Sequence, residues 1–205
     1  MNQSDFFKSW SSLHGNAKIS GIVRGWLTIS YLLVKPLAKL KITPNILTIF
    51  GLFFGVLLYL NALSNWAVIL LILSLICDGI DGSLAIITGK GSKWGAMLDS
   101  VVDRVTEFFW ALTFIAIGAN TNVVIAALLI ASVQEYLRAR AGGLGLSEVG
   151  VVTIAERPVR ASILFVAIIA YILNIEIVNI LATIWLVMQS FSFLTLTKFT
   201  YKKLI

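Results

Sequence analysis

Cysteine, histidine, proline and charge are all scarce in this chain of 205 residues. The single cysteine, Cys77, excludes an intramolecular disulfide, and with His14 as the only histidine there are too few ligands for a Cys/His zinc site. Charged residues make up 13% of the chain and hydrophobic ones 59%; soluble domains typically carry ~25% charge. Mean hydropathy is +0.94, which excludes a disordered chain and argues against an ordinary soluble domain. The first twenty residues hold no continuous apolar core of the signal-peptide kind, so they are expected to be retained.

What is present is unevenly placed. Residues 1–41 carry Lys8, Lys18, Arg24, Lys35, Lys39 and Lys41 against one acid, Asp5, with Trp10, Trp26 and Tyr31 between them. That pattern predicts an amphipathic helix in the membrane interface, its cations reaching anionic headgroups. Pro44 then suits the first turn of a helix, and residues 42–77 contain no charge. Asn61, Ser64 and Asn65 divide this run, predicting spans near 44–63 and 66–88; further spans are expected near 93–118, 122–141, 160–174 and 177–199. At about 1.5 Å per residue, ~20 residues cross the ~30 Å hydrocarbon core. The expected fold is therefore an all-α integral membrane protein. A juxtamembrane segment, 1–41, precedes a six-helix transmembrane catalytic domain, 42–205.

The basic residues agree with that count. With six spans, Lys90, Lys93, the arginines of 138–160 and the C-terminal lysines all fall on one side, which the positive-inside rule makes cytoplasmic along with both termini. The excess positive charge, +6, thus reports orientation, and no nucleic-acid partner is expected. Gly51 and Gly55 form a small-xxx-small pair suited to close helix packing.

The acids tell a different story. Five of ten, Asp78, Asp81, Asp99, Asp103 and Glu107, fall within thirty residues of apolar sequence. Asp78 and Asp81 are three apart and Asp99 and Asp103 four apart, so each pair shares one helix face. The short turn at 89–93 makes the two helices antiparallel neighbours, which brings four carboxylates together at the cytoplasmic edge; Glu107 lies one turn deeper. Bare carboxylates so close repel one another, and in an apolar bundle each is costly. One or two divalent cations relieve both. An all-oxygen set selects Mg²⁺, Mn²⁺ or Ca²⁺, and Mg²⁺ is commonly completed by phosphate oxygens. Gly82 and Ala85, beside Asp81, leave room for such a ligand, and Arg104 is a possible counter-charge.

The segment 78–103 resembles the signature of the CDP-alcohol phosphotransferase family, D-x-x-D-G-x-x-A-R-x8-G-x3-D-x3-D. It reads here as Asp78, Asp81, Gly82, Ala85, then Ile86 in place of arginine, then Gly95, Asp99 and Asp103. The TPNxxT segment with Asn45 and Thr48 and the basic amphipathic N-terminus are also similar. The resemblance implies transfer of a phosphatidyl-type group from a CDP-linked lipid, diacylglycerol- or archaeol-based, to an alcohol, with release of CMP. It implies two Mg²⁺ ions, with Mn²⁺ as an alternative, held by Asp78, Asp81, Asp99 and Asp103. It makes Asp103 the general base and places Asn45, Thr48, Gly82, Ala85, Ile86 and Ser92 at the CDP-lipid. Where arginine would meet the donor phosphates, Ile86 cannot, and Lys90, Lys93 or Arg104 could compensate.

The connection 135–160 resembles the branch that transfers to inositol phosphate. Arg138, Arg140, Arg157 and Arg160 would bind the acceptor's phosphate through their forked donors, although the positive-inside rule alone also accounts for them. That branch usually has an arginine after a glutamine in the last span, where this chain has Gln189 and Ser190. Glycerol 3-phosphate, serine or another alcohol remain alternative acceptors, and a homodimer is implied. Of other classes, a cation or proton transporter predicts acids continuing to the far side, which are lacking, and a non-catalytic scaffold predicts decay of the aspartates, which are intact.

Overall fold

Eight α-helices and the turns between them make up the computed structural model, which describes residues 1–146 and 152–205; there are no strands among the described residues. Part of the connection that carries the predicted acceptor arginines, 147–151, lies outside them. The helices gather into two units, one of residues 1–55 and 72–106 and another of 56–71 and 107–205.

In the first unit, the single interfacial helix expected over 1–41 becomes two, α1 (Gln3–Leu13) and α2 (Gly21–Lys39). The break follows from local chemistry. Asn2 caps α1 by accepting from the Asp5 N–H at 2.9 Å, and Gly15 and Asn16 end it at φ +65° and +59°, a region glycine and asparagine tolerate best. The two helices pack through Phe6, which is fully buried and sits 5.7 Å from the Tyr31 ring, and Tyr31 donates to the Met1 carbonyl at 3.1 Å. The faces of α2 are divided by helical periodicity. Leu27, Ser30, Tyr31 and Val34 are buried, Ile22, Trp26, Ile29 and Leu32 are exposed and apolar, and Arg24, Lys35 and Lys39 form a third stripe.

Leu40 and Lys41 then close α2, the latter at φ +59°, and Pro44 opens α3 (Pro44–Leu60) at 112° to α2. Proline disfavours helix at the residue before it, so Thr43 cannot continue α2, and it needs no N–H in a first turn. The next helices are α4 (Trp66–Thr88) and α5 (Lys93–Ala116), joined by a turn in which Gly89 takes φ +65°. Helix spacing here depends on absent side chains. Ser74 of α4 donates to the Gly51 carbonyl at 2.7 Å, and a Cβ on Gly55 would lie 2.9 Å from the Thr106 methyl, while one on Gly79 would lie 2.6 Å from the Trp26 ring. Thr106 is only 1% exposed and has little room to yield. Gly55→Ala is therefore expected to cost about 1–3 kcal/mol, read as a lower melting midpoint in detergent; an unchanged midpoint would show that this contact is loose.

The second unit is centred on α8 (Val178–Leu204), which packs against α6 (Thr121–Gly143) and α7 (Arg157–Ile172). Its buried stripe, Val178, Ala182, Trp185, Gln189, Ser192, Leu196 and Thr200, recurs every three or four residues. Ala127 and Ala131 of α6 and Ala161 and Ala167 of α7 are buried; such small residues let helices approach closely. Leu129, Val187, Phe191 and Leu194 are exposed at 60–65%, a surface suited to lipid rather than water.

The helix bounds match the six expected segments to within three residues, except that α8 runs five residues past the expected end. By length and composition α4, α6 and α8 are able to cross a membrane, and α2 with α3 form a fourth candidate if taken as one broken span. The others differ for physical reasons. α3 and α7, at 17 and 16 residues, are shorter than the ~20 that span a bilayer untilted, and α5 carries Asp99, Asp103, Arg104 and Glu107 within its length.

Candidate active site

The acidic pairs lie in the C-terminal half of α4 and the N-terminal half of α5. One carboxylate oxygen each of Asp78, Asp99 and Asp103 lie within 4.8 Å of one another, and all three residues are half-buried. Asp81 sits deeper, 8% exposed. Its Oδ2 accepts a hydrogen bond from Thr48 Oγ1 of α3 at 2.5 Å, and it interacts electrostatically with Asp99 and Asp78. Arg104 approaches Asp103 with Nη2 3.7 Å from Oδ2. The donor set fits a hard divalent cation. It is all oxygen, it concentrates negative charge, and among the described residues no His or Cys joins Asp78, Asp99 and Asp103 in the group.

A cavity of about 220 Å³ opens beside these carboxylates, and it gathers residues far apart in sequence. Asn45 and Thr48 come from α3, Gly82 and Ala85 from α4, and Ser92 from the turn before α5; Asp81 and Asp99 line it as well. Ser92 Oγ accepts from the Gly95 N–H at 3.0 Å, capping α5, and a Cβ on Gly95 would stand 3.0 Å from Asn45 Oδ1. Gly95 thus allows α5 to come close to α3. At Gly82 the reverse holds: a Cβ would meet no protein atom within 4 Å, so the space beside it is left for something else. Ile86 does not line this cavity. It faces a wider groove of about 740 Å³ lined by Asp78, Asp81 and Gly82 as well as Trp10 and Trp26, and packs on the cluster of Phe6, Leu27 and Tyr31.

The four arginines belong to the second unit, where carboxylates hold most of them. Arg160 is 3% exposed. It donates to Glu107 Oε1 from Nε at 2.9 Å and Nη2 at 2.6 Å, and from Nη1 to the Ala155 carbonyl at 2.6 Å and Gln189 Oε1 at 3.5 Å. Arg157 has its guanidinium 5.0 Å from the Trp110 ring centroid and its Nε 3.9 Å from Glu107. Arg138 grips Glu156 with two donors, at 2.9 and 3.2 Å, and reaches Glu135 at 3.2 Å. Arg140, in the last turn of α6, is exposed. Ser190 turns its hydroxyl back to the Leu186 carbonyl at 2.8 Å.

The network extends beyond the charges. Gln189 donates to Gln134 at 2.9 Å, Gln134 to Thr153 at 3.4 Å, and Thr153 to Glu156 at 2.8 Å from both its backbone and hydroxyl. Sequence reasoning set Glu107 aside and overlooked Gln134, Glu156 and this use of Gln189. The available signal was polar residues on the buried stripes of otherwise apolar helices, where an unpaired polar group is costly. Burial tends to raise the Glu156 carboxyl, but the hydrogen bonds from Arg138 and Thr153 outweigh it and hold its pKa below the ordinary 4.5. A depressed carboxylate adds stability above its unfolded pKa and loses it as pH falls through the folded value. Thermal stability in detergent should therefore decline below about pH 4.5, and Glu156→Gln should flatten that acid limb; a limb unchanged in the variant would assign the loss to other groups.

Comparison with known proteins places this geometry. Residues 41–195 match the family model for CDP-alcohol phosphatidyltransferase. The chain is 40% identical over 140 residues to archaetidylinositol phosphate synthase of Pyrococcus horikoshii, covering 65% of this chain and 72% of that protein. It is 39% identical over 144 residues to phosphatidylinositol phosphate synthase of Corynebacterium glutamicum, covering 62% and 65%. In fold it is similar to the crystal structures of Mycobacterium tuberculosis phosphatidylinositol phosphate synthase. The form with CDP-DAG bound gives a TM-score of 0.66 at 20% identity, covering 85% of this chain and 94% of that one. The form with manganese and citrate gives 0.68 at 21%, covering 84% and 88%. The aspartate signature, the all-helical fold and the match over 41–195 together show that the chain belongs to the CDP-alcohol phosphatidyltransferase family of membrane transferases.

Proposed function

We propose that this chain transfers a phosphatidyl-type group from a CDP-linked lipid to a hydroxyl of inositol phosphate, releasing CMP. The observation that carries this reading is the approach of Asp78, Asp99 and Asp103 within 4.8 Å, beside a cavity lined by Asn45, Thr48, Gly82, Ala85 and Ser92. Divalent cations, two Mg²⁺ or Mn²⁺, held by these aspartates and Asp81 would offset the diphosphate charge and that of the departing CMP. The chain's own residues do the rest. Asn45, Thr48, Gly82 and Ser92 seat the nucleotide, and Asp103 accepts the proton of the acceptor hydroxyl. The new bond joins that hydroxyl oxygen to the lipid-side phosphorus, and the bond from that phosphorus to the bridging oxygen breaks as CMP leaves.

For the acceptor's phosphate we propose Arg138, Arg140 and Arg157, with Arg160 turned inward to hold the arrangement together. The relatives named for inositol phosphate products support this choice. In the membrane we propose six spans with both termini and the site on the cytoplasmic side. The exposed apolar stripe and basic stripe of α2 suit the interface.

Competition tests the acceptor. Purified protein given CDP-diacylglycerol, Mg²⁺ and equal inositol phosphate, glycerol 3-phosphate and serine should form mainly the inositol phosphate lipid by mass spectrometry; a dominant glycerol phosphate or serine product would overturn the assignment. Gly82→Ala tests the donor seat. Because its methyl meets no protein atom and alanine favours a helix interior over glycine, melting should not fall while KM for the CDP-lipid rises about tenfold, the effect of ~1.4 kcal/mol; an unchanged KM would remove Gly82 from the donor site.

A further inference from the structure

We propose that Lys90 is the residue that holds the donor's phosphate oxygens in this chain, in the place that Ile86 has vacated. The inference rests on the reading that the cavity takes a CDP-linked donor. Among the described residues lining that cavity, Lys90 is the one cation; Asp81 and Asp99 supply negative charge. Of the other two basic residues able to compensate, Arg104 lies against Asp103, and Lys93 does not line the cavity.

The position of Lys90 is set by the backbone. Gly89 turns the chain at φ +65°, and the Lys90 N–H then bonds back to the Ala85 carbonyl at 3.1 Å, which fixes its Cα at the end of α4. Its side chain is exposed and so pays little desolvation to reach an anion at the cavity mouth. Ile86, one turn earlier, is spent on a different task, the apolar contact with Phe6, Leu27 and Tyr31 through which α1 and α2 seat on α4. Ile86 also borders the groove shared with Asp78, Asp81 and Gly82, but not the smaller cavity that Lys90 lines. The chain thus uses position 86 for packing and takes its cation from the turn that follows. A lysine suits this place because its ammonium is a compact charge on a flexible stem and needs no planar fork to meet a phosphate.

Calorimetric titration of the full-length protein in detergent with Mg²⁺ tests the proposal, using CDP, CMP and cytidine as probes. Lys90→Ala should weaken CDP binding about tenfold, the scale of one charge-assisted hydrogen bond, weaken CMP less, and leave cytidine unchanged. Lys90→Arg should restore CDP affinity, and Lys93→Ala should change none of the three. Equal CDP affinity in wild type and Lys90→Ala would overturn the inference while leaving the donor site intact, as would an equal loss for cytidine. Failure of the wild type to bind CDP would overturn the donor reading itself, and this proposal with it.

Discussion

Asp103→Asn should lower turnover by about 10²–10⁴-fold, the usual contribution of a general base, while the protein melts as wild type and KM for the CDP-lipid changes little. The substitution is isosteric and keeps the hydrogen-bonding shape of the side chain, but an amide cannot accept the acceptor's proton. Because the Asp103 carboxylate also approaches those of Asp78 and Asp99, a second variant separates its roles. Asp78→Asn removes one charge from the cluster without touching the proposed base, so its main effect should be a higher Mg²⁺ requirement, with part of the activity recovered at raised Mg²⁺. Asp103→Asn should recover little under the same conditions. Full recovery of Asp103→Asn by Mg²⁺ would reduce Asp103 to a metal ligand, and full turnover at the Mg²⁺ concentration that serves the wild type would remove it from the site.

The second large effect concerns stability. Glu107→Ala should cost about 3–5 kcal/mol, because removing one partner of a buried pair strands the other. Here the group left behind is Arg160, whose side chain is 2% exposed and which meets Glu107 at 2.6 Å; its remaining carboxylate, Glu135, is farther off at 3.6 Å. Arg157, 3.9 Å from the same carboxylate, would lose that ion pair as well. Melting in detergent should show a large drop, and low recovery after solubilisation is expected. Replacing both partners, Glu107→Met with Arg160→Met, should restore much of the loss, since an apolar pair of similar volume carries no desolvation cost. A Glu107→Ala protein as stable as wild type would show that the pair does not hold α5 to α7.

Much of this was legible in the sequence, for identifiable reasons. The helix bounds were marked by residues that stop or start helices: Pro44, the polar group at Asn61–Asn65, Gly89 and the asparagines at 120 and 122. The aspartate cluster could be read from spacing alone, because i,i+3 and i,i+4 pairs on two adjacent helices leave few other arrangements. The division of 1–41 into α1 and α2 was missed, since Gly15–Asn16 is a weak break in a segment without strong periodicity. The task of Ile86 was also hidden. Its partners, Phe6 and Tyr31, lie fifty or more residues away, and only the fold shows that they cover it. The same is true of Glu107 and Arg160, separated by 53 residues. Four arginines in one connection read as an anion site; that Glu107, Glu135 and Glu156 also hold three of them, Arg138, Arg157 and Arg160, depends on contacts only the fold shows.

Metal-dependent transfer at the aspartate cluster is the central claim, and its most direct measurement is CMP release from CDP-diacylglycerol by the purified protein. CMP is expected to appear in step with a phosphatidylinositol phosphate product when both Mg²⁺ and inositol phosphate are present, and to stop when EDTA is added or the acceptor is left out. CMP release that persists in EDTA, or proceeds at the same rate without any acceptor alcohol, would contradict it.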